Sequence, residues 1–253
     1  MTTNQSPRTD SQQSDAPEPE NGQTLIEHLE ELRWRLIWII VALVIGTAVG
    51  WGFSRPILTH MISPVGETVF LAPGEAFYTH LRIAFIIGIV LAFPMFLFQI
   101  GAFVWPGLHR HERRLVLLFM PFSLGLFLMG IVFSYFVMLP LVSRFFLGFG
   151  SEEVRPAISI ASYVSFVIGL ILPSGLVFQM PVLSLLLARL GLITTEFLRR
   201  WRRIALFVVF VLAAFITPPD VISQIILAGP LLGLYELSIL VARWGERARR
   251  AAS

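Results

Sequence analysis

The sequence predicts an all-α membrane protein, with six transmembrane helices in a concave bundle and both termini in the cytoplasm. Hydrophobic residues occupy 56% of the 253 positions and charged residues only 14%, whereas a soluble domain has about 25% charged residues. Several apolar runs reach ~18 residues or more, which lets a helix cross a hydrocarbon core about 30 Å thick. The segments between these runs hold most of the arginines, and their placement indicates the orientation.

Residues 24–244 are predicted to form the six-span membrane domain. The expected spans cover residues 34–53, 81–104, 115–142, 158–188, 204–216 and 221–241. Pro173 and Pro181 predict that the long fourth span is tilted and kinked. The fifth span has 13 residues, which would cover only roughly 20 Å of the core. The sixth span meets Glu236 before it has crossed, so we expect spans 5 and 6 to be short.

Polar tails flank this domain. Residues 1–23 are rich in Ser, Thr, Gln, Asp, Glu and Pro, a composition typical of a disordered tail. They do not resemble a secretory signal peptide, because no apolar stretch follows a basic segment there. Thr24, with Glu27 three residues later, has the capping-box pattern of a helix start. Residues 245–253 are predicted to be a second cytoplasmic tail.

The arginines indicate how the chain is oriented. All 19 basic residues are Arg. With the N-terminal tail in the cytoplasm, 15 of them fall on the cytoplasmic side, and the others are Arg55, Arg82, Arg144 and Arg155. The positive-inside rule therefore places both termini in the cytoplasm. Because topology explains the basic loops, we expect no nucleic-acid partner.

Signatures of an enzyme are poor. The chain has no Cys, so a thiolate metal site or a disulfide is not possible. His111 and Glu112 begin a zinc-protease pattern, but Leu115 stands where the second His is required. Ser151 follows a Gly-Phe-Gly sequence, yet no His in the spans can serve as its base. We therefore expect a non-enzymatic protein without metal, cofactor or phosphate-binding loop.

Two cytoplasmic segments place carboxylates among the arginines, and each has two interpretations. Glu112 lies beside Arg110, Arg113 and Arg114, which fits an interfacial salt-bridge cluster or a binding site. Residues 28–33, with the sequence HLEELR, fit the solvated end of a helix or a binding site. The residues alone do not decide between these alternatives.

Polar groups at membrane depth form a third set of candidates. They are Gln179, Asp220, Gln224 and Glu236. Ionisable groups within a membrane are functional candidates because their burial is costly. Asp220 equally fits a cap of the sixth span, and Glu236 equally fits a marker of the membrane interface.

Five segments in order resemble the TatC family, whose members are the six-span core of the twin-arginine translocase. These segments are residues 28–33 (HLEELR), 99–106 (QIGAFVWP), 111–114 (HERR), 161–166 (ASYVSF) and 217–220 (TPPD). The match extends from about residue 24 to 244, and the motifs lie on the sides that the arginines indicate.

The resemblance implies a receptor for folded precursor proteins whose signal peptides carry two consecutive arginines. A guanidinium forms bidentate, charge-assisted bonds with a carboxylate, and a face rich in arginine repels further arginines except at its few carboxylates. The implied signal-peptide residues are Glu31, Arg33, Phe103, Glu112, Arg113 and Arg114. The resemblance thus favours the binding-site interpretation of Glu31 and Glu112.

The resemblance also implies partners in the membrane. Single-span TatA and TatB subunits would dock at Gln179, Thr217, Asp220 and Gln224, in a hetero-oligomer with several copies. At position 179 many relatives carry Glu, so Gln179 removes a titratable group but keeps a hydrogen-bonding amide. The implied location is the bacterial cytoplasmic (inner) membrane, where the chain contacts the lipid bilayer. Export would be driven by the proton motive force.

Two rival functions remain as hypotheses. A secondary transporter for a small anionic solute would use the same arginines and intramembrane acids, but should show internal repeats and broken helices. The sequence has no evident repeat. A purely structural membrane scaffold would explain the arginines by topology and leave the five ordered motifs unexplained.

Overall fold

The computed structural model describes residues 25–63, 65, 68–104, 113–148, 158–216 and 221–250. This part of the chain is almost entirely helical. The helices are α1 (Leu25–Ile62), α2 (Glu75–Val104), α3 (Arg113–Phe133), which continues through a π-helical turn (Ser134–Met138) into α4 (Leu139–Leu147), α5 (Ile160–Val177), α6 (Met180–Arg189), α7 (Thr195–Arg200), α8 (Arg202–Ile216) and α9 (Val221–Arg250). Two short strands, β1 (Thr68–Val69) and β2 (Ile158–Ser159), pair in parallel.

Five helical stretches in the described part of the chain are long and apolar enough to cross a membrane. They are Leu29–Ile62, Glu75–Phe103, Phe119–Arg144, Ile160–Arg189 and Leu227–Arg247. Helix α8 is also apolar but has 15 residues, so it extends about 22 Å. The predicted class, an all-α membrane protein, is therefore confirmed, with five candidate spans and one shorter apolar helix.

The first two helices are longer than the sequence pattern predicts. Helix α1 continues nine residues beyond position 53, and α2 begins six residues before position 81. Pro56 lies inside α1, beyond the predicted end of the first span at position 53. Membrane helices tolerate proline because neighbouring groups satisfy the freed carbonyl. The segment that joins α1 to α2 is therefore much shorter than expected.

The fourth and sixth predicted spans both differ from the helices in the structure. The fourth is broken, since α5 ends at Val177 and α6 starts at Met180, with Pro181 in its first turn. Proline is favoured there because the first turn needs no N–H donor. Helix α9 has 30 residues and extends beyond position 241 into the predicted C-terminal tail, so the sixth helix is longer than the predicted span of residues 221–241. Glu236 lies inside this helix and pairs with Arg202 at the start of α8.

Glycines bring α1 and α2 into direct backbone contact. A Cβ atom on Gly46 would lie 2.8 Å from the carbonyl oxygen of Gly88, and one on Gly50 would lie 2.5 Å from that of Ala84. Small residues four positions apart let membrane helices approach this closely. Gly130 of α3 meets α5 in the same way, with 2.8 Å to the carbonyl oxygen of Ser174. These contacts fix α1 against α2, which positions the polar side chains at their adjoining ends.

Candidate functional site

An ion pair between Glu31 and Arg35 lies near the start of α1. The Arg35 Nε atom donates to Glu31 Oε1 at 3.1 Å, and Nη2 donates to the same oxygen. The residues are four apart, so one helical turn brings their side chains together. The Arg35 and Glu31 side chains are 20% and 25% exposed, which reduces the screening of the pair by water.

The same guanidinium reaches the last turns of α2. Arg35 Nη2 donates to the carbonyl oxygen of Ala102 at 3.1 Å, and Nη1 donates to Gln99 Oε1 at 3.4 Å. Carbonyls in the last turn of a helix lack intrahelical donors and carry the negative end of the helix dipole. Arg35 therefore satisfies a helix terminus and holds the start of α1 against the end of α2.

The predicted signal-peptide residues are only partly covered by the described chain. Glu31 and Arg33 lie on α1, where Arg33 is exposed, and Phe103 follows Ala102 in the last turn of α2 and is half-buried. The Arg35 contacts bring Glu31 and the backbone next to Phe103 to one place. Arg113 and Arg114 begin α3, but their side chains, and the whole of Glu112, lie outside the described residues.

Sequence reasoning missed two side chains of this cluster. Arg35 was counted only as a topological arginine, and Gln99 only as part of a motif. The four-residue spacing of Glu31 and Arg35 was a usable signal, because this spacing on a helix predicts an ion pair. The contacts to Gln99 and Ala102 span more than 60 residues of sequence, and no local pattern predicts them.

Gln179 lies inside the bundle, at the break between α5 and α6. It is 8% exposed, its Oε1 accepts from the Ser123 hydroxyl, and its Nε2 donates to the Ser123 carbonyl oxygen at 3.0 Å. Both polar ends of the carboxamide are thus bonded to α3 of the same chain. A partner helix could bind this amide only after the Ser123 contact opens.

The other predicted docking residues are Thr217, Asp220 and Gln224. Gln224 Nε2 donates to the carbonyl oxygen of Phe210 at 2.9 Å, so this amide ties α9 to α8. Thr217 and Asp220 lie outside the described residues. Of the predicted docking set, the structure therefore describes Gln179 and Gln224, and each makes a contact within the chain.

Glu236, the remaining polar candidate at membrane depth, pairs with Arg202 at the start of α8. Glu236 Oε1 lies 2.6 Å from Arg202 Nε and 2.5 Å from Nη2. The two side chains are 47% and 61% exposed, so the pair lies on the surface. This geometry agrees with the alternative in which Glu236 marks the membrane interface.

A third carboxylate, Glu75, organises the opposite end of α2 and was not singled out from the sequence. Its Oε2 accepts from the backbone N–H of Leu71 at 2.6 Å and of Ala72 at 3.2 Å. Its Oε1 accepts from the N–H of Ala161 at 2.9 Å and from the Ser159 hydroxyl. Glu75 therefore joins the starts of α2 and α5 beside the β1–β2 pair.

These features define a polytopic helical membrane protein whose conspicuous polar cluster lies at the adjoining ends of α1 and α2, with its carboxylate already holding a guanidinium. Such a site is suited to recognising cationic groups. The chain belongs to the TatC family, since the family model described as "Sec-independent protein translocase protein (TatC)" matches residues 27–230. Family membership makes it a component of a protein translocase, with a transport role.

Relatives and solved structures agree with this assignment. A Sec-independent protein translocase protein TatC from Carboxydothermus hydrogenoformans is 45% identical, over 87% of this chain and 93% of the relative. TatCy from Bacillus subtilis is 38% identical, over 92% of this chain and 94% of the relative. A crystal structure described as the twin arginine translocase receptor TatC superposes with a TM-score of 0.74 at 35% identity, over 87% of this chain and 99% of that chain. A second TatC crystal structure, in the detergent DDM, superposes with a TM-score of 0.76 at 36% identity, over 85% of this chain and 99% of that chain.

Proposed function

We propose that this chain is the signal-peptide receptor and core subunit of the twin-arginine translocase. It binds the Arg-Arg motif of folded precursor proteins and organises their export. The observation that carries the proposal is the half-buried Glu31 carboxylate, which accepts two guanidinium nitrogens of Arg35. A carboxylate held in this way matches the fork of an arginine side chain. The likeness to crystal structures described as the twin arginine translocase receptor supports it.

The proposed signal-peptide site comprises Glu31 and the residues around it. Glu112 is the second acid, and Phe103 supplies an apolar surface beside the Arg35 contact to Ala102. Arg33, Arg113 and Arg114 surround the acids with positive charge, so that a cationic peptide finds favourable partners only at the carboxylates. Two acids suit a motif of two arginines.

The proposed topology has six spans, with both termini in the cytoplasm of a bacterial cell and the spans in its inner membrane. Helix α8 supplies the span that length alone does not identify. Its 15 residues are short by about a quarter of the hydrocarbon core, so the bilayer around it would thin. Local thinning lowers the barrier to the passage of a folded domain.

TatA and TatB are the proposed partners, docked on α8 and the start of α9. The exposed apolar side chains of this surface include Leu206, Phe207, Val208, Val211, Val221 and Ile225, and Gln224 lies in the first turn of α9. Thr217 and Asp220 complete the proposed docking set. Such a surface suits a single apolar partner helix with a few polar contacts. Gln179 would join the docking site when its bond to Ser123 opens. The assembly contains several copies and draws on the proton motive force through these partners.

The rival function, transport of a small anionic solute, receives less support. It relies on intramembrane acids and arginines facing a central site. Glu236 instead pairs with Arg202 on the surface, and Glu31 pairs with Arg35 at the ends of two helices.

Crosslinking of a photoreactive Arg-Arg signal peptide to the full-length protein tests the proposal. We expect Glu31→Gln to lower the crosslinking yield by about tenfold or more, because a guanidinium loses its charged acceptor. Glu30→Gln is the matched control, since Glu30 is the adjacent, exposed carboxylate. Glu112→Ala should also abolish crosslinking while the protein remains folded. Equal yields from the wild type, Glu31→Gln and Glu112→Ala would contradict the site.

A second experiment tests the function. A folded reporter with an Arg-Arg signal should be exported when this chain is supplied, with its partners, to a strain that lacks its own TatC. The same reporter with two lysines should stay inside.

A further inference from the structure

We propose that Arg35 is an affinity-setting residue of the signal-peptide site: it occupies Glu31 in the resting protein, and a signal arginine must displace it. The inference rests on the proposed function of Glu31. It starts from the ion pair in which Arg35 Nε and Nη2 both contact Glu31 Oε1. Arg35 thereby presents to Glu31 the same chemical group that the incoming peptide would present.

Displacement is favoured over sharing because the two ligands carry like charge. Two guanidiniums at one carboxylate would lie a few ångströms apart and repel each other. The exchange replaces the contacts of Arg35 Nε and Nη2 to Glu31 Oε1 by contacts of the incoming guanidinium, so part of the free energy that the first arginine of a signal gains at Glu31 is offset. The attached Arg35 also competes at a high effective concentration, because it is only one helical turn from Glu31.

Arg35 has a second position available when Glu31 is taken. Its Nη2 already contacts the Ala102 carbonyl at 3.1 Å, and its Nη1 contacts Gln99 Oε1 at 3.4 Å. The carbonyl belongs to the last turn of α2, where the helix dipole favours a cation. The guanidinium therefore keeps hydrogen-bond acceptors in this half-buried place after it leaves Glu31. Arg35 can thus leave Glu31 when a signal arginine binds and return when that arginine dissociates.

The consequence is a receptor that releases its ligand. Competition by Arg35 lowers the affinity of every peptide that binds through Glu31, relative to a protein without Arg35. Arg35 returns to Glu31 when the signal leaves. The apolar part of the signal and its second arginine must supply the remaining affinity. Arg35 thus sets the threshold below which a peptide with poor contacts elsewhere stays unbound.

Binding of a fluorescent Arg-Arg signal peptide to the full-length protein in lipid nanodiscs tests this. We expect Arg35→Gln to tighten binding about fivefold, mainly through slower dissociation, since a half-buried ion pair contributes roughly that factor. Arg35→Lys should tighten it by a smaller factor, because lysine keeps the charge but lacks the fork. Arg202→Gln, which breaks the other described Arg–Glu pair at α8 and α9, should leave the affinity unchanged.

The double-mutant cycle with Glu31→Gln identifies the cause. If Arg35 competes for Glu31, the gain from Arg35→Gln disappears in the Glu31→Gln background. Weaker binding by Arg35→Gln would mean that Arg35 only orients Glu31, and would overturn the inference. Tightening that persists without Glu31, or that is absent in Arg35→Lys, would assign the effect to general charge repulsion and overturn it too.

The two proposals fail in different ways. If the wild type does not bind the Arg-Arg peptide more tightly than a Lys-Lys peptide, the proposed function fails. If the wild type discriminates and Arg35→Gln leaves the affinity unchanged, only the role of Arg35 fails. Should Arg35→Gln not yield monodisperse protein, Arg35→Lys alone decides the result: wild-type affinity in that variant contradicts the inference.

Discussion

Ser123 on α3 bonds both polar ends of the Gln179 carboxamide, as donor to Oε1 and as acceptor from Nε2 at 3.0 Å. This contact closes the break between α5 and α6 against α3. At the break, the backbone N–H of Gln179 donates to the Leu176 carbonyl oxygen at 3.0 Å and its carbonyl oxygen accepts from the Leu183 N–H at 2.9 Å, and the side chain adds the contact to α3. An amide fits because it both donates and accepts, whereas an ionised carboxylate only accepts.

The first prediction concerns Gln179→Glu. A carboxylate at this buried position keeps the Ser123 hydroxyl but has no donor for the Ser123 carbonyl, and it adds charge. We expect the free energy of unfolding to fall by about 1–3 kcal/mol, measured by thermal unfolding in detergent. Ser123→Ala provides the second arm of a double-mutant cycle. The other arm is Gln179→Leu, which removes the amide. If the losses of unfolding free energy in Gln179→Leu and Ser123→Ala add up in the double variant, the two side chains are not coupled.

The second prediction concerns Glu75, whose carboxylate accepts four donors from two segments. In Glu75→Gln the amide NH₂ faces either the N–H groups of Leu71 and Ala72 or the Ser159 hydroxyl and the Ala161 N–H. A donor that faces donors leaves them unsatisfied, at a cost of about 1–3 kcal/mol. Hydrogen exchange at Leu71 and Ala161 should accelerate. Glu196→Gln, at an exposed position, is the control; equal exchange in both variants would exclude the clamp.

How much the sequence predicts depends on the distance over which each interaction acts. The membrane class follows from apolar runs, and the break before α6 follows from Pro181, because both are local properties. Glu75 could not be recognised, since its partner Ser159 is 84 positions away and no periodicity links the two. The continuation of α1 through Pro56 could not be predicted, because proline usually ends a helix in water, whereas a membrane helix accommodates it.

In the candidate site, too, local features could be predicted from the sequence and contacts between helices could not. The carboxylate Glu31 could be identified from a motif resemblance, and its pair with Arg35 from the four-residue spacing. That Arg35 also binds Ala102 and Gln99 depends on how α1 packs against α2. Glycine contacts between the helices set that packing, and a hydrophobicity pattern carries no information on their register.

The third prediction concerns the pair of Arg202 and Glu236. Both side chains are about half exposed or more, so water and salt screen their attraction, and such pairs contribute about 0–1 kcal/mol. We expect Arg202→Gln to change the midpoint of thermal unfolding little, and high salt to remove whatever difference exists. A large, salt-independent loss of stability would mean that the pair is buried in the assembled protein.

The fourth prediction compares two glycines of α1. In Gly46→Leu the new Cβ atom would lie 2.8 Å from the Gly88 carbonyl oxygen, whereas a Cβ on Gly52 meets nothing within 4 Å. Because backbone atoms of α2 cannot move aside as a side chain can, Gly46→Leu must separate the helices, at a cost of about 1–3 kcal/mol. Gly52→Leu should be tolerated. Since Glu31 lies on α1 and Phe103 on α2, separation should also move the two sides of the proposed signal-peptide site apart. We therefore expect Gly46→Leu, and not Gly52→Leu, to lower both the unfolding midpoint and the yield of signal-peptide crosslinks. Loss of stability with unchanged crosslinking would show that the site does not depend on this helix contact.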